Sequence, residues 1–115
     1  MPARLRQADP ATVAAALAGD RSPADLKLLT KHFLAALSDR APGASVEVRV
    51  PPYAAVQVIP GVRHTRGTPP AVVELDADTW VALAAGELTW ADAEQSGRVR
   101  ASGERADLSP YLPLR

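Results

Sequence analysis

Residues 72–103 read VVELDADTWVALAAGELTWADAEQSGRVRASG, and this stretch decides the fold class. Val72, Val73 and Leu75 form a short apolar β-forming run, and Asp76 is placed to cap a helix on which Trp80, Leu83 and Ala84 share one face. Gly86 supplies a left-handed stop. Thr89 and Asp92 make a T-x-x-D start resembling a capping box, Gly97 ends that second helix, and Val99 and Ala101 alternate with polar residues in a closing strand. The expected order is strand, helix, helix, strand. A crossover of this kind is expected to join parallel strands with right-handed connectivity.

Working outward, Asp9 as cap, Pro10 at the first helical position and Gly19 beyond the last turn define a short Ala-rich helix. Ser22 caps a longer one that begins at Pro23, carries Asp25 in its first turn and ends before Pro42 and Gly43. Its apolar stripe is Leu26, Leu29, Phe33, Ala36 and Leu37, which suits it to cover a sheet. Val46, Val48 and Val50 alternate with Glu47 and Arg49, the pattern of a strand with one buried and one wet face. Pro51 and Pro52 close it. Residues 53–59 read as the next strand, 60–70 as a proline- and glycine-rich loop or wide hairpin, and Ala71–Leu75 as a third strand. Near the end, Asp107 can cap a final turn carrying Leu108, Tyr111 and Leu112, kept short by Pro110 and Pro113. Glu47, Arg49, Arg98 and Arg100 fall on outward strand positions and are expected to form cross-strand charge pairs.

With 115 residues, 47% hydrophobic and 23% charged, the chain is expected to be a flexible tail, 1–8, and one domain, 9–115. Thirteen basic residues balance thirteen acidic ones, so no global field recruits nucleic acid. No apolar run reaches the roughly 18 residues of a spanning helix, so no stable membrane insertion is expected. The absence of cysteine excludes disulfides and thiol chemistry and is compatible with the cytoplasm, the expected location. Aromatic residues make up only 4%, so the core must rest on Val, Leu, Ile and Ala with Phe33, Trp80 and Trp90 as bulky exceptions.

The pattern Asp76-x-x-x-Trp80-x-x-Leu83-x-x-Gly86-x-Leu88, followed by Ala93, Gly97-x-Val99 and Gly103, resembles the C-terminal half of the sterol carrier protein type-2-like domain. The run PPYAAVQVIPGVRHTRGTPP, 51–70, is similar to a bacterial branch of that family. The resemblance implies an α+β fold: a mixed, mostly antiparallel five-stranded sheet covered by helices on one face. It also implies a carrier domain that binds a fatty acid, acyl lipid or sterol-like molecule, without catalysis and without cofactors. An accessory module acting in trans with a protein partner, such as an enzyme, is the alternative. The motif residues serve turns and packing, so they speak for scaffold more than for substrate.

Candidate walls of an apolar pocket are Phe33, Leu37, Val56, Val58, Trp80, Leu83 and Leu88, which would be plain core if no pocket forms. Trp90 has the same two readings. Candidate headgroup residues are Arg63, His64, Arg66 and Thr68, in the segment richest in polar donors. That segment leads into a strand rather than a helix, which argues against a nucleotide phosphate loop. Two histidines, His32 and His64, without H-E-x-x-H spacing argue against zinc, and no G-x-S-x-G elbow supports a hydrolase. Asp76 and Asp78 have a sufficient structural role at a helix start. A sealed, empty pocket of roughly 300 Å³ costs about 7 kcal/mol at about 24 cal/mol per Å³, comparable to a domain's whole stability. A pocket here is therefore expected to be filled, open to solvent or absent.

Overall fold

A computed structural model describes residues 5–61, 71–103 and 106–115. The elements are α1 (Pro10–Ala18), α2 (Pro23–Arg40), β1 (Val46–Val50), β2 (Ala54–Val58), β3 (Ala71–Leu75), α3 (Ala77–Ala85), α4 (Trp90–Gln95) and β4 (Val99–Ser102), followed by a 3₁₀ turn at Ser109–Tyr111. Each α-helix starts where local chemistry predicts. Asp9, Ser22, Asp76 and Thr89 each accept a hydrogen bond from the backbone N–H three residues on, and prolines open α1 and α2. Gly86 takes φ +83° to close α3.

The strands form one sheet in the order β2-β1-β3-β4. β1 runs antiparallel to β2 and parallel to β3, and β3 runs antiparallel to β4. The sheet is thus mixed and mostly antiparallel, but among the described residues it has four strands rather than the expected five. After β4 the chain enters a proline-containing segment that makes the 3₁₀ turn and runs to the end of α3, where Leu114 N–H donates to the Ala84 carbonyl at 2.9 Å. Pro110 and Pro113 have no N–H to offer a ladder.

The expected parallel pairing across the α3–α4 crossover is also corrected, because β3 and β4 are antiparallel. A strand-helix-strand connection reverses the chain twice and restores its direction. A second helix adds a third reversal and inverts it. The parallel pair is instead β1 with β3, since β2 forms a hairpin with β1 and the chain returns on β1's other side.

One sheet face is buried and the other wet. Val46, Val48 and Val50 of β1 and Ala71, Val73 and Leu75 of β3 point into the core, with Val48 registered between Val56 and Val73. Glu47 and Arg49 alternate onto the open face. There, Arg49 binds Glu47 on its own strand, with Nε and Nη2 donating to Oε2 at 3.0 and 2.7 Å, not a partner across the ladder. Residues i and i+2 of a strand share a face, so this contact needs no neighbour. Arg98 precedes β4 and its Nε donates to Thr79 Oγ1 at 3.1 Å, tying the crossover's end to its beginning.

α2 is the central covering element, packed against α1, α3 and β2. It buries Leu29, Thr30, Phe33, Leu34, Ala35 and Leu37, a wider surface than the expected stripe, while Leu26 and Ala36 stay partly exposed. A helix with neighbours on three sides needs a broad apolar arc, and a single-face template misses Leu34 and Ala35. Of the segment expected as a tail, residues 5–8 lie against this layer. Leu5 and Ala8 pack on the core, and Gln7 donates to Asp39 at 2.9 Å.

Gly43, in the α2–β1 turn, is fixed by close approach: a Cβ there would lie 2.2 Å from the Ile59 carbonyl oxygen. That oxygen accepts from Ser45 N–H at 3.1 Å and Ser45 Oγ at 2.7 Å, so it cannot retreat freely. Gly43→Ala should therefore cost about 2–3 kcal/mol in urea unfolding. Gly97→Asn should cost under about 1 kcal/mol, because Asn tolerates the left-handed region and no atom lies within 4 Å of the added Cβ.

Candidate functional site

A half-open cleft of about 400 Å³ lies where α3 ends, α4 begins and the C-terminal segment passes. Leu83 and Gly86 form the α3 side, Leu88, Thr89, Trp90 and Ala91 the α4 side, and Ser109, Leu112 and Pro113 the third wall. The turn between the helices is tight because Gly86 adopts a left-handed conformation and Glu87 N–H donates back to the Ala82 carbonyl at 2.8 Å. The side chains are thus brought together by helix stops that the sequence announces. The third wall is not local. Arg40, at the end of α2, donates from Nη1 to the Tyr111 and Pro113 carbonyls, both at 2.9 Å, while Leu114 N–H is held by Ala84.

Among the described residues, the lining contains no charged side chain and no histidine. Thr89 Oγ1 is already engaged as the α4 cap, accepting from Asp92 N–H at 3.1 Å. The surface is therefore suited to an apolar guest and offers no acid–base pair. Among the described residues, two buried side-chain polar atoms lack a partner: Thr30 Oγ1 within α2 and the Nε1 of Trp90, a residue that lines the cleft.

Of the expected pocket residues, Leu83 and Leu88 meet in this cleft. Phe33, Leu37, Val58 and Trp80 are buried in the core, and Val56 is half-buried on β2. Trp80 packs between α3 and α2, its Nε1–H donating to the Thr30 carbonyl at 3.2 Å. Arg63, His64, Arg66 and Thr68 lie outside the described residues. Leu112, Pro113 and Ser109 were not anticipated as site residues. The available signal was an apolar C-terminal run, LPL at 112–114, with no strand or helix pattern of its own to bury it.

A second, shallower groove of about 360 Å³ runs along the first half of α2, lined by Arg6, Lys27 and Lys31 around Leu28, with Ala8, Ala24 and His32. His32 Nδ1 accepts a hydrogen bond from Ala8 N–H at 3.0 Å, which fixes the neutral tautomer with its proton on Nε2. Elsewhere, a bidentate Arg21–Glu87 pair at 2.7 and 2.5 Å joins the α1–α2 turn to the α3–α4 turn and holds the Glu87 carboxyl below its ordinary range. Among the described residues no group of three or more His, Asp or Glu side chains could hold a metal ion. No described helix is long and apolar enough to cross a membrane.

The molecule is thus a small α+β domain with a one-sided mixed sheet, a closed core and an apolar cleft at the helical rim. Its chain belongs to the bacterial sterol carrier protein-like family: the family profile described as the bacterial SCP ortholog matches residues 20–114. The matched span runs from the residue before the Arg21 turn to Leu114, so it includes all three walls of the cleft. No curated protein matches the chain.

Two predictions follow from the contacts around α2. Burial holds the His32 pKa below its usual 6.5, so the unfolded chain takes up a proton before the folded one does. The contribution of neutral His32 is fully present above 6.5 and is lost as pH falls through the lower folded value. Thermal melts at pH 8 and pH 5 should show this loss in the wild type and less of it in His32→Asn, which keeps an acceptor for Ala8 but does not titrate. Arg40→Ala should cost about 1–2 kcal/mol and raise amide exchange at Leu112 and Leu114, leaving β1 and β3 protected.

Proposed function

We propose that this protein is a non-catalytic carrier of a hydrophobic small molecule, an acyl lipid or similar apolar compound, held in the cleft between α3, α4 and the C-terminal segment. One observation carries the reading: a concave surface of about 400 Å³ whose lining has no charged residue, in a chain of balanced charge. That volume is within the range of about 300–1,000 Å³ typical of small-ligand sites. Family membership supports the same reading, because sterol carrier-like domains are in general lipid-binding and non-catalytic. The lining also lacks a group able to take or give a proton near neutral pH, which favours holding a ligand over transforming it.

Position favours the cleft over the core. Phe33, Leu37, Val58 and Trp80 are 0–1% exposed, and a ligand among them would have to displace close-packed side chains. At the rim, a ligand covers Leu88 and Leu112, both half-buried, and each Å² of apolar surface it removes from water contributes roughly 25 cal/mol.

The test is displacement of a fluorescent alkyl probe, paired with a variant that fills the cleft. Ala91 is exposed at the second position of α4 and lines the cleft, so a large side chain there occupies it without entering the core. Ala91→Trp should weaken binding by at least about tenfold, or about 1.4 kcal/mol, with an unchanged melting temperature. Saturable binding unaffected by this change would place the site elsewhere. Absence of saturable binding, together with a protein that is retained by a stable partner, would replace the carrier with the accessory module.

A further inference from the structure

The two tryptophans of this chain meet different fates. Trp80 donates its indole N–H to the Thr30 carbonyl inside the core. Trp90 is only 6% exposed, yet its Nε1 has no acceptor among the described residues. Buried donors are nearly always paired, and an indole N–H taken out of water without a partner costs roughly 1–3 kcal/mol. Several carbonyls near the cleft already accept other donors. Ala82 receives Glu87 and Leu88, Ala84 receives Leu114, and Tyr111 and Pro113 both receive Arg40.

We propose that the missing acceptor is a neutral carbonyl oxygen on the ligand itself, an ester, ketone or amide on an otherwise apolar molecule, bound by Trp90 Nε1–H inside the cleft. The proposal rests on the cleft being the carrier site and narrows the class of molecule it takes. A hydrocarbon would leave the N–H unpaired. An ionised carboxylate would pair with it but would lose its hydration in a lining with no Lys, Arg or His among the described residues, and burying an uncompensated charge costs far more than one hydrogen bond returns. A neutral carbonyl meets both conditions. It accepts one strong bond and is cheap to desolvate.

Binding of this kind requires a local movement, because Trp90 Nε1 is screened from solvent; the wall formed by Leu112 and Pro113 is the part of the lining proposed to move. That wall belongs to no sheet or α-helix. Arg40 and the Leu114–Ala84 hydrogen bond hold it at one end of the molecule.

Three probes with one chain length separate the terms: methyl dodecanoate, dodecanoate and dodecane, each titrated at pH 8 by displacement of the alkyl fluorophore. The ester should bind about tenfold more tightly than either of the others, the ratio expected when a hydrogen bond worth about 1.4 kcal/mol is gained. Trp90→Phe removes the donor and shortens the ring that lines the cleft, so dodecane should weaken modestly, the ester should weaken more, and the ester's advantage over dodecane should vanish. In the wild type, the Trp90 indole ¹H–¹⁵N resonance should move on adding the ester, and the Trp80 resonance should stay. This readout holds even where Trp90→Phe fails to fold. Equal affinity for all three probes, or saturation by the ester with an unmoved Trp90 resonance, overturns the carbonyl assignment and leaves the carrier reading intact. If no probe binds, the carrier reading and the assignment fall together.

Discussion

The hydrogen bond from Trp80 Nε1 to the Thr30 carbonyl joins α3 to α2 at the deepest point of the core, and the rest of the molecule is arranged around that junction. A sheet with one apolar face must be covered, and this chain has few large side chains with which to do so. Trp80 and Phe33 are the two largest fully buried ones, one from each of the covering helices. Because an indole carries a polar atom into the interior, its placement is restricted to sites where that atom finds an acceptor. The Thr30 carbonyl fixes both the depth and the rotation of α3 against α2. From there, the tight stop at Gly86, the six-residue α4 and the return into β4 follow with little freedom.

That junction also explains where open space can exist. Val46, Val48, Val50 and Val73 are fully buried beneath α2 and α3, and small branched side chains at sheet spacing leave little room for a guest. At the rim the constraint relaxes. α4 is short, its partner wall is an irregular segment, and that wall is held by polar anchors at Arg40 and Ala84 together with the packing of Leu108, Tyr111, Leu112 and Leu114 on the core. The cleft is the volume between a closely packed helix pair and a strap tied at its ends.

What the sequence revealed follows the range of each interaction. Caps act over three residues, and Asp9, Ser22, Asp76 and Thr89 were all legible because the acceptor and donor are close neighbours in the chain. The alternation of Val46, Glu47, Val48 and Arg49 likewise announced which face of β1 is buried. Strand direction across the crossover does not follow from the presence of a crossover alone, because two helices invert a chain that one helix would restore. Leu83 and Leu88 were legible as apolar positions in a recognised pattern. Leu112 and Pro113 were not legible as their neighbours, since the bonds that place them come from Arg40, more than seventy residues earlier. Nothing in the local sequence encodes that meeting.

The free energy of an empty cavity explains why open space in this chain takes the form of a cleft at the rim and not a sealed void in the core. A sealed, dry void of about 400 Å³ would cost on the order of 10 kcal/mol at about 24 cal/mol per Å³. A domain of this size has only about 5–15 kcal/mol of stability in total. Opening the same volume to solvent changes the cost, because water wets the apolar walls and the penalty becomes exposed surface rather than lost contacts. Leu88 and Leu112 are left half-exposed as a result. Under the proposed carrier function, a guest would recover what the empty protein forgoes, with affinity set by the apolar walls and selectivity by the few polar atoms among them. With Thr89 occupied as a helix cap and no charge among the described lining residues, the side-chain polar groups left to discriminate a guest are the Ser109 hydroxyl and, if the wall moves as proposed, the unpartnered indole of Trp90.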